Sequence, residues 1–353
     1  MDILTYVDGA KKILIYGAGQ YGRVVTKWLC LDNIFGKKII GIAISAGQEK
    51  VIDKISNIQV KYIDEIDADK DTTLVIIALS EEKQDEIVSL CEGKGYSNIY
   101  KINKSLYNLM RREVNREESY RANLMSLNTK ITSCTMEIVA AINFDRAMNE
   151  SKWLRSKDFS AGRSAVSNYY LYTMYRILDS GQFYDALDIG MGQTSKMLGQ
   201  YANFCDKFNH TIVEESQEWI SVFSKSMKLS NNVNILQMDY TMENIDGEDV
   251  RVYEGFGEKL KDKKFDFISI DAPIGKDMKN RSRIDIFKIF PKCLKSSWII
   301  MIDDVGRQGE SNTLTEITDI LEKNNHPYCL KIHEGIRKFA IIASEDNRCF
   351  CTI

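Results

Sequence analysis

A chain of 353 residues exceeds what one ordinary hydrophobic core organises and predicts two domains of roughly 100 to 200 residues each. Its 44% hydrophobic and 27% charged residues belong to an ordinary globular chain, which excludes a disordered or fibrous class. A formal charge of -3 lacks the basic excess that phosphate-backbone contacts need, so nucleic acid is not an expected partner, and a small or acidic substrate would need a local basic pocket.

The start, Met1-Asp2-Ile3-Leu4-Thr5, carries no basic segment ahead of an apolar stretch, and runs such as Leu74 to Leu79 are too short to cross a bilayer. A cytoplasmic protein without a membrane span is expected. The 8 cysteines show no Cys-x-x-Cys spacing and no ligand pattern with the 3 histidines, so neither zinc nor a disulfide framework is suggested. Cys349 and Cys351 form a Cys-x-Cys near the end with no further ligand close in sequence.

From Lys12 to Asn103, β-branched runs at Ile13-Tyr16, Ile39-Ile44, Thr73-Ala78 and Asn98-Ile102 alternate with amphipathic segments. Such alternation predicts parallel strands with helical crossovers, a doubly wound α/β domain over residues 1–104. Gly17-Ala18-Gly19-Gln20-Tyr21-Gly22 sits between the first strand and the next helix. There Gly17 would allow a tight turn, Gly19 would let a phosphate approach the backbone, and Gly22 would let helix and strand pack closely. The second strand ends in Ser45 rather than the acid that holds ribose hydroxyls in dinucleotide folds, which favours a nucleotide or nucleotide sugar over NAD. The segment resembles the small Rossmann-type domains at the start of bacterial surface-glycan modifying proteins. That likeness leaves ligand binding and a scaffold role both open.

Between Ser105 and Glu150 there is neither glycine nor proline. Tyr120, Leu124, Leu127, Ile131, Cys134 and Ile138 recur at alternating intervals of four and three, one apolar seam on a long helix. A helical linker over 105–158 follows, whose seam either pairs two subunits in a homodimer or docks on the neighbouring domain. The pattern fits both.

A second strand and helix alternation fills 159–353, with strands expected at Ala186-Ile189, Thr211-Glu214, Asn234-Gln237, Phe267-Ile270, Trp298-Ile302, Cys329-Ile332 and Phe339-Ala343. Asp185-Ala186-Leu187-Asp188-Ile189-Gly190-Met191-Gly192-Gln193-Thr194-Ser195 places an acid before a Gly-x-Gly turn that opens a helix. Glycines there let a ligand lie against the turn, while a carboxylate such as Asp188 can hold an ammonium. Glu214-Glu215 ends the next strand, Asp239-Tyr240 the third, Asp271-Ala272-Pro273 the fourth and Asp303-Asp304 the fifth. Acids at the carboxyl ends of parallel strands stand where open α/β sheets collect ligands. Asp266 reads instead as a solvated turn residue, and His326 and His333 as structural or exposed.

In this order the motifs resemble a class I S-adenosylmethionine (SAM) dependent methyltransferase, whose seven-stranded sheet ends in an antiparallel addition. The resemblance implies SAM seated by Asp188, Gly190, Gly192, Thr194, Ser195, Glu214, Glu215, Asp239 and Tyr240, with Glu214 accepting both ribose hydroxyls. Across Asp185 to Ala343 the chain is similar to polysaccharide O-methyltransferases acting on glucuronic acid. The likeness rests on Glu214-Glu215 before Glu218-Trp219, on Asp271-Ala272-Pro273 with the basic segment to Arg283, and on Asp304-Val305-x-Arg307-x-x-Glu310. That family usually has histidine before Asp304, where this chain has Asp303.

The set Asp271, Asp303 and Asp304 also resembles the magnesium site of catechol-type O-methyltransferases, and oxygen ligands of this kind suit a hard divalent cation. Without a metal, one of these carboxylates would serve as general base. Arg281, Arg283 and Arg307 could pair with a carboxylate or phosphate of a small-molecule or sugar acceptor. Ser160-Ala161-Gly162-Arg163-Ser164 reads either as a segment closing over the ligands or as a helix cap. Two other classes stay open: a non-catalytic scaffold of a glycan pathway, and an NAD(P)-dependent oxidoreductase using the first glycine motif.

Overall fold

The computed structural model describes residues 3–162 and 165–352, so Arg163 and Ser164 of the segment considered above lie outside the described residues. The chain forms two compact units, Met1–Leu127 and Asn128–Ile353. No helix of the described residues is long and apolar enough to cross a membrane.

The first unit runs α1 (Ile3–Gly9), β1 (Lys12–Tyr16), α2 (Gln20–Leu29), α3 (Asn33–Lys38), β2 (Ile39–Ile44), β3 (Lys54–Ile55), β4 (Ile58–Tyr62), β5 (Thr73–Ile77), α4 (Gln84–Gly93), β6 (Ile99–Lys101) and the first part of α5 (Lys104–Glu150). Its six strands lie in the order β3-β4-β2-β1-β5-β6, parallel except for the β3–β4 hairpin. Alternate residues feed two cores. Ile13, Ile15, Ile42 and Ile76 pack on one face, and Leu14, Tyr16, Val75 and Ile77 on the other. Both faces are thus covered, as a parallel sheet requires, and the Rossmann-like character read from the alternation is present. The hairpin was not anticipated. It turns on Ser56 and Asn57, both at positive φ (48° and 67°), a pairing that suits a two-residue hairpin.

The second unit holds the remainder of α5, then α6 (Asn168–Ser180), β7 (Asp185–Ile189), α7 (Gln193–Phe204), β8 (Asn209–Glu214), α8 (Gln217–Ser226), β9 (Val233–Gln237), β10 (Tyr240–Ile245), β11 (Glu248–Tyr253), α9 (Phe256–Leu260), β12 (Phe265–Ile270), β13 (Leu294–Ile302), α10 (Gln308–Lys323), β14 (Tyr328–Glu334) and β15 (Lys338–Ser344). The main sheet has the order β14-β15-β13-β12-β7-β8-β9. Its first five strands in sequence are parallel, and β15 and β14 add antiparallel at one edge. This is the sheet expected from the sequence. Ala186, Phe267 and Met301 pack under α6 and α7, while Leu187, Ile268 and Ile300 pack under α9 and α10.

Helix α6 starts on Ser167, whose hydroxyl accepts the Tyr170 N–H at 3.1 Å, so the cap lies beyond the 160–164 segment. The seam residues Tyr120, Leu124, Leu127, Ile131, Cys134 and Ile138 are all exposed along α5. Asp266 departs from its reading as a solvated turn residue. It is buried, accepts the N–H groups of Tyr184 and Asp185, and pairs with Lys295 at 2.8 Å. Its position within β12 turns it toward the adjacent start of β7 rather than toward water.

Candidate active site

The first strand of the second unit, β7, is central, with β8 on one side and β12 on the other, so the chain reverses direction of travel across the sheet between β7 and β12. Ligands of open α/β sheets bind at such a point, outside the carboxyl ends. Ladder bonds carry the pairing one residue past each strand and bring the loops together. Gly190 N–H donates to Val213 O, Asp271 N–H to Ile189 O, Asp303 N–H to Ile270 O and Met238 N–H to Glu214 O, at 2.9 to 3.1 Å. The glycine turn and the acids after β8, β12 and β13 therefore share one edge.

On the β7–β8 side, Gly190 has φ of +105°, and a Cβ there would meet the Ala272 Cβ at 2.6 Å, so only glycine fits. A Cβ on Gly192 would meet nothing within 4 Å, which leaves open space at the N-terminus of α7 for a ligand. Asp188 lies beneath this turn, fully buried. It accepts the Thr194 hydroxyl at 3.1 Å and the Ser195 hydroxyl, and His210 Nε2 stands 3.7 Å away. Ser195 Oγ in turn accepts the Gly192 N–H at 3.1 Å. Asp188, Thr194 and Ser195 thus fasten the turn from below, and their influence on a ligand would pass through it.

Glu214 ends β8. One oxygen accepts the Met191 N–H and the other the Ser216 N–H, each at 2.9 Å, which aims the carboxylate at the turn with lone pairs remaining. Glu215 is half-buried beside it, and its carbonyl accepts Gln237 Nε2. Asp239 follows β9, exposed, accepting Gln237 Nε2 at 2.7 Å. Tyr240 begins β10, where burial pushes its phenol up to about 12.

On the β12–β13 side three carboxylates converge. Asp271, Asp303 and Asp304 each offer one oxygen, and these oxygens lie within 4.8 Å of one another. Asp304 adopts φ of 60°, uncommon for a residue with a side chain, which turns it back toward Asp271. Burial and the neighbouring negative charges hold Asp271 and Asp303 above the usual carboxylate range, with Arg283 opposing in both. Asp303 is fully buried, and neither of its oxygens has a hydrogen-bond partner. A buried carboxylate without hydrogen bonds is costly unless a close counter-charge or a proton offsets it. Oxygen donors, their mutual approach and this orphaned pair of lone-pair sites all fit a hard divalent cation.

The arginines separate in role. Arg281 lies at the surface, bonded to Asp246 at 2.6 Å and 3.8 Å from Glu316. Arg283 is buried, at φ of 55°, and threads between the acids. Its Nη1 donates to the carbonyls of Ile270 and Asp303, its Nη2 to Asp271 and Asp304 at 3.1 and 3.2 Å. Arg307 is 37% exposed and reaches Asp304 at 2.9 Å and Glu310 at 3.4 Å, so part of its side chain remains open to solvent.

Sequence reasoning missed Arg337, in the β14–β15 turn, whose guanidinium stands 3.7 Å from Asp303 and 3.9 Å from Asp304. Its approach depends on the antiparallel edge folding back across β13, a pairing no local motif announces. Glu310 was noticed only as part of a spacing, yet it is fully buried with Oε1 3.8 Å from Arg283 Nε. A surface cavity of about 560 Å³ beside Trp153, Tyr175 and Tyr201 includes none of these acids or glycines.

In the first unit, Gly17 has φ of +115°, and a Cβ on Gly22 would fall 1.7 Å from Gly17 O, so turn and helix close directly on each other. A Cβ on Gly19 meets nothing within 4 Å. Where a dinucleotide fold would carry an acid, Ser45 instead bonds the Tyr16 hydroxyl.

No protein-family model matches the chain, and no curated protein matches it. Among solved structures it is similar to a putative caffeoyl-CoA O-methyltransferase from Staphylococcus aureus, at 19% identity over 62% of this chain and 99% of that one, with a TM-score of 0.36. It is also similar to a precorrin-6y C5,15-methyltransferase from Geobacter metallireducens, at 16% identity over 53% and 94%, TM-score 0.35. A third likeness is to an SAH-bound methyltransferase of Podospora anserina, at 13% identity over 64% and 96%, TM-score 0.34. The fold of the second unit stands on its own strand order and directions, given above.

Proposed function

We propose that the second unit is a SAM-dependent methyltransferase acting on a hydroxyl of a sugar or related small acceptor. One observation carries the reading: an open glycine turn after β7 and three converging carboxylates after β12 and β13 stand on adjacent strands at the chain-reversal point. A nucleoside donor seated at the turn would present its reactive group toward the acids. Glu214 supports the ribose assignment, because one of its oxygens is held at the turn by the Met191 N–H, the other by the Ser216 N–H, and both retain acceptor capacity.

The chemistry asks little of the protein beyond alignment, since a sulfonium is a good leaving group and in-line placement of oxygen, carbon and sulfur supplies most of the rate. Asp271, Asp303 and Asp304 would hold a divalent cation, which lowers the pKa of a hydroxyl bound to it and orients that hydroxyl. The protein's own groups do the rest. Arg283 fixes Asp271 and Asp304 in place, and without a bound cation one of these carboxylates would accept the hydroxyl proton instead. Arg307 and Arg337 border the acids and offer guanidinium donors to an anionic group on the acceptor.

Isothermal titration of the full chain with SAM and with its demethylated product tests the reading. Binding at one site per chain is expected, weakened in Glu214→Ala. No heat with either ligand at millimolar concentration would remove it, and tight NADH binding in their place would favour an oxidoreductase.

A further inference from the structure

The segment Glu218-Trp219 forms part of the likeness noted in the sequence, yet no role above uses it. Trp219 lies in the first turn of α8, whose N-cap Ser216 accepts the Trp219 N–H at 3.1 Å. Its indole Nε1 reaches back across the sheet edge and donates to the Met191 carbonyl at 2.8 Å. Met191 is the middle residue of Gly190-Met191-Gly192, and its N–H is already held by Glu214 at 2.9 Å. Both polar groups of one peptide-turn residue are therefore tied to the β8–α8 connection.

We infer that Trp219 is a positioning residue for the donor-binding turn, which rests on the reading of that turn as the SAM seat. Gly190 at +105° and the open Gly192 have wide conformational freedom, so a turn built from them is entropically costly to hold in one shape. Glu214 cannot hold it alone through ligand binding. When ribose hydroxyls come to that carboxylate, they use its remaining lone pairs, so the oxygen that holds the Met191 N–H becomes a shared acceptor and its bond to that N–H weakens. The indole bond lies on the other side of Met191 and does not compete, so it keeps the turn in place while Glu214 shares its lone pairs. Trp219 is 43% exposed, so the indole is not retained there by core packing. The cap on Ser216 and the bond to Met191 fix its position instead. Preorganisation of this kind appears as affinity.

The test compares wild type, Trp219→Phe, which keeps an aromatic ring without the donor, and Trp219→His, which restores a ring N–H. SAM and its demethylated product are titrated by calorimetry, with tryptophan fluorescence in parallel. Phe should weaken both ligands roughly fivefold to tenfold, the scale of one net hydrogen bond, with melting temperature close to wild type and partial recovery in His. Ligand should also change the wild-type fluorescence and leave Trp219→Phe unresponsive. Equal affinity in wild type and Phe, or a loss that His fails to recover, would overturn the tether while leaving the SAM seat intact. Absence of SAM binding in wild type would overturn the seat itself, and the tether with it.

Discussion

Asp285 offers a clean test of how burial sets energetics in this fold. It follows Arg283 and Ile284, is 1% exposed, and accepts the Tyr253 N–H at 2.8 Å through Oδ1 while Oδ2 has no partner. Burial raises its carboxyl from 3.8 to about 7, opposed by the Tyr253 N–H and by Lys288. The folded chain therefore holds this proton more tightly than the unfolded chain does. Stability from it is complete below about pH 4 and is lost as pH rises through 7. At about 1.4 kcal/mol per pH unit of mismatch, the loss between pH 5 and pH 8 is roughly 2 to 3 kcal/mol. Asp285→Asn keeps the acceptor for Tyr253, cannot ionise, and adds an unsatisfied amide N–H costing about 1–3 kcal/mol at every pH. Measured by calorimetric melting of the full chain from pH 5 to 8, the variant should be the less stable protein at pH 5. It should gain roughly 2 to 3 kcal/mol on wild type by pH 8, a relative shift on the order of 5–10 °C for a unit of this size. Parallel stability curves, with a gap constant across that range, would refute the argument that Asp285 ionises at a cost inside the fold.

Three further outcomes are expected. Arg283→Met should lower stability by about 3–5 kcal/mol at pH 7.5, since Asp271 and Asp304 lose their shared buried partner, and much of the loss should return at lower pH as the acids protonate; chemical denaturation at two pH values checks it. His333 is buried against Phe339, bonded to the Tyr169 hydroxyl at 2.9 Å, and held down to about 4, so it folds neutral and its contribution is lost as pH falls from about 6.5 toward 4. His333→Phe should flatten that acid limb of the melting profile. Manganese or magnesium should raise the melting temperature of the wild type and a chelator reverse it, with no such response in Asp303→Asn; an unresponsive wild type would show that Arg283 and its neighbours alone balance the acids.

The two sheets were legible because parallel strands buried on both faces leave dense β-branched runs, as at Ile39-Ile44 and Trp298-Ile302. The β10–β11 hairpin was not seen. Its residues are largely half-exposed, Tyr240 to Ile245 alternating without a strong apolar pattern, although Asp246-Gly247, both at positive φ, is a turn signal the sequence does carry. Acids after strands were readable from position alone, since each strand's end fixes which edge its next residue joins. What each acid touches was not. Asp188 and Asp239 look alike in the sequence, yet one is sealed beneath a helix start and the other stands in solvent. Arg283, Arg337 and Glu310 converge from three separated segments, and that convergence exists only after β13, β15 and α10 have packed.

The contact between Gly190 and Ala272 joins the two halves of the cleft through a partition a single methyl thick. A bulkier side chain at either position would push the Gly190 turn and the Asp271 loop apart together, so a change on one side registers on the other. Swapping the sizes, with glycine at 272 and alanine at 190, would remove the methyl clash yet leave the positive φ of residue 190 and a Cβ 3.3 Å from the backbone N of residue 272, so the pair is not interchangeable.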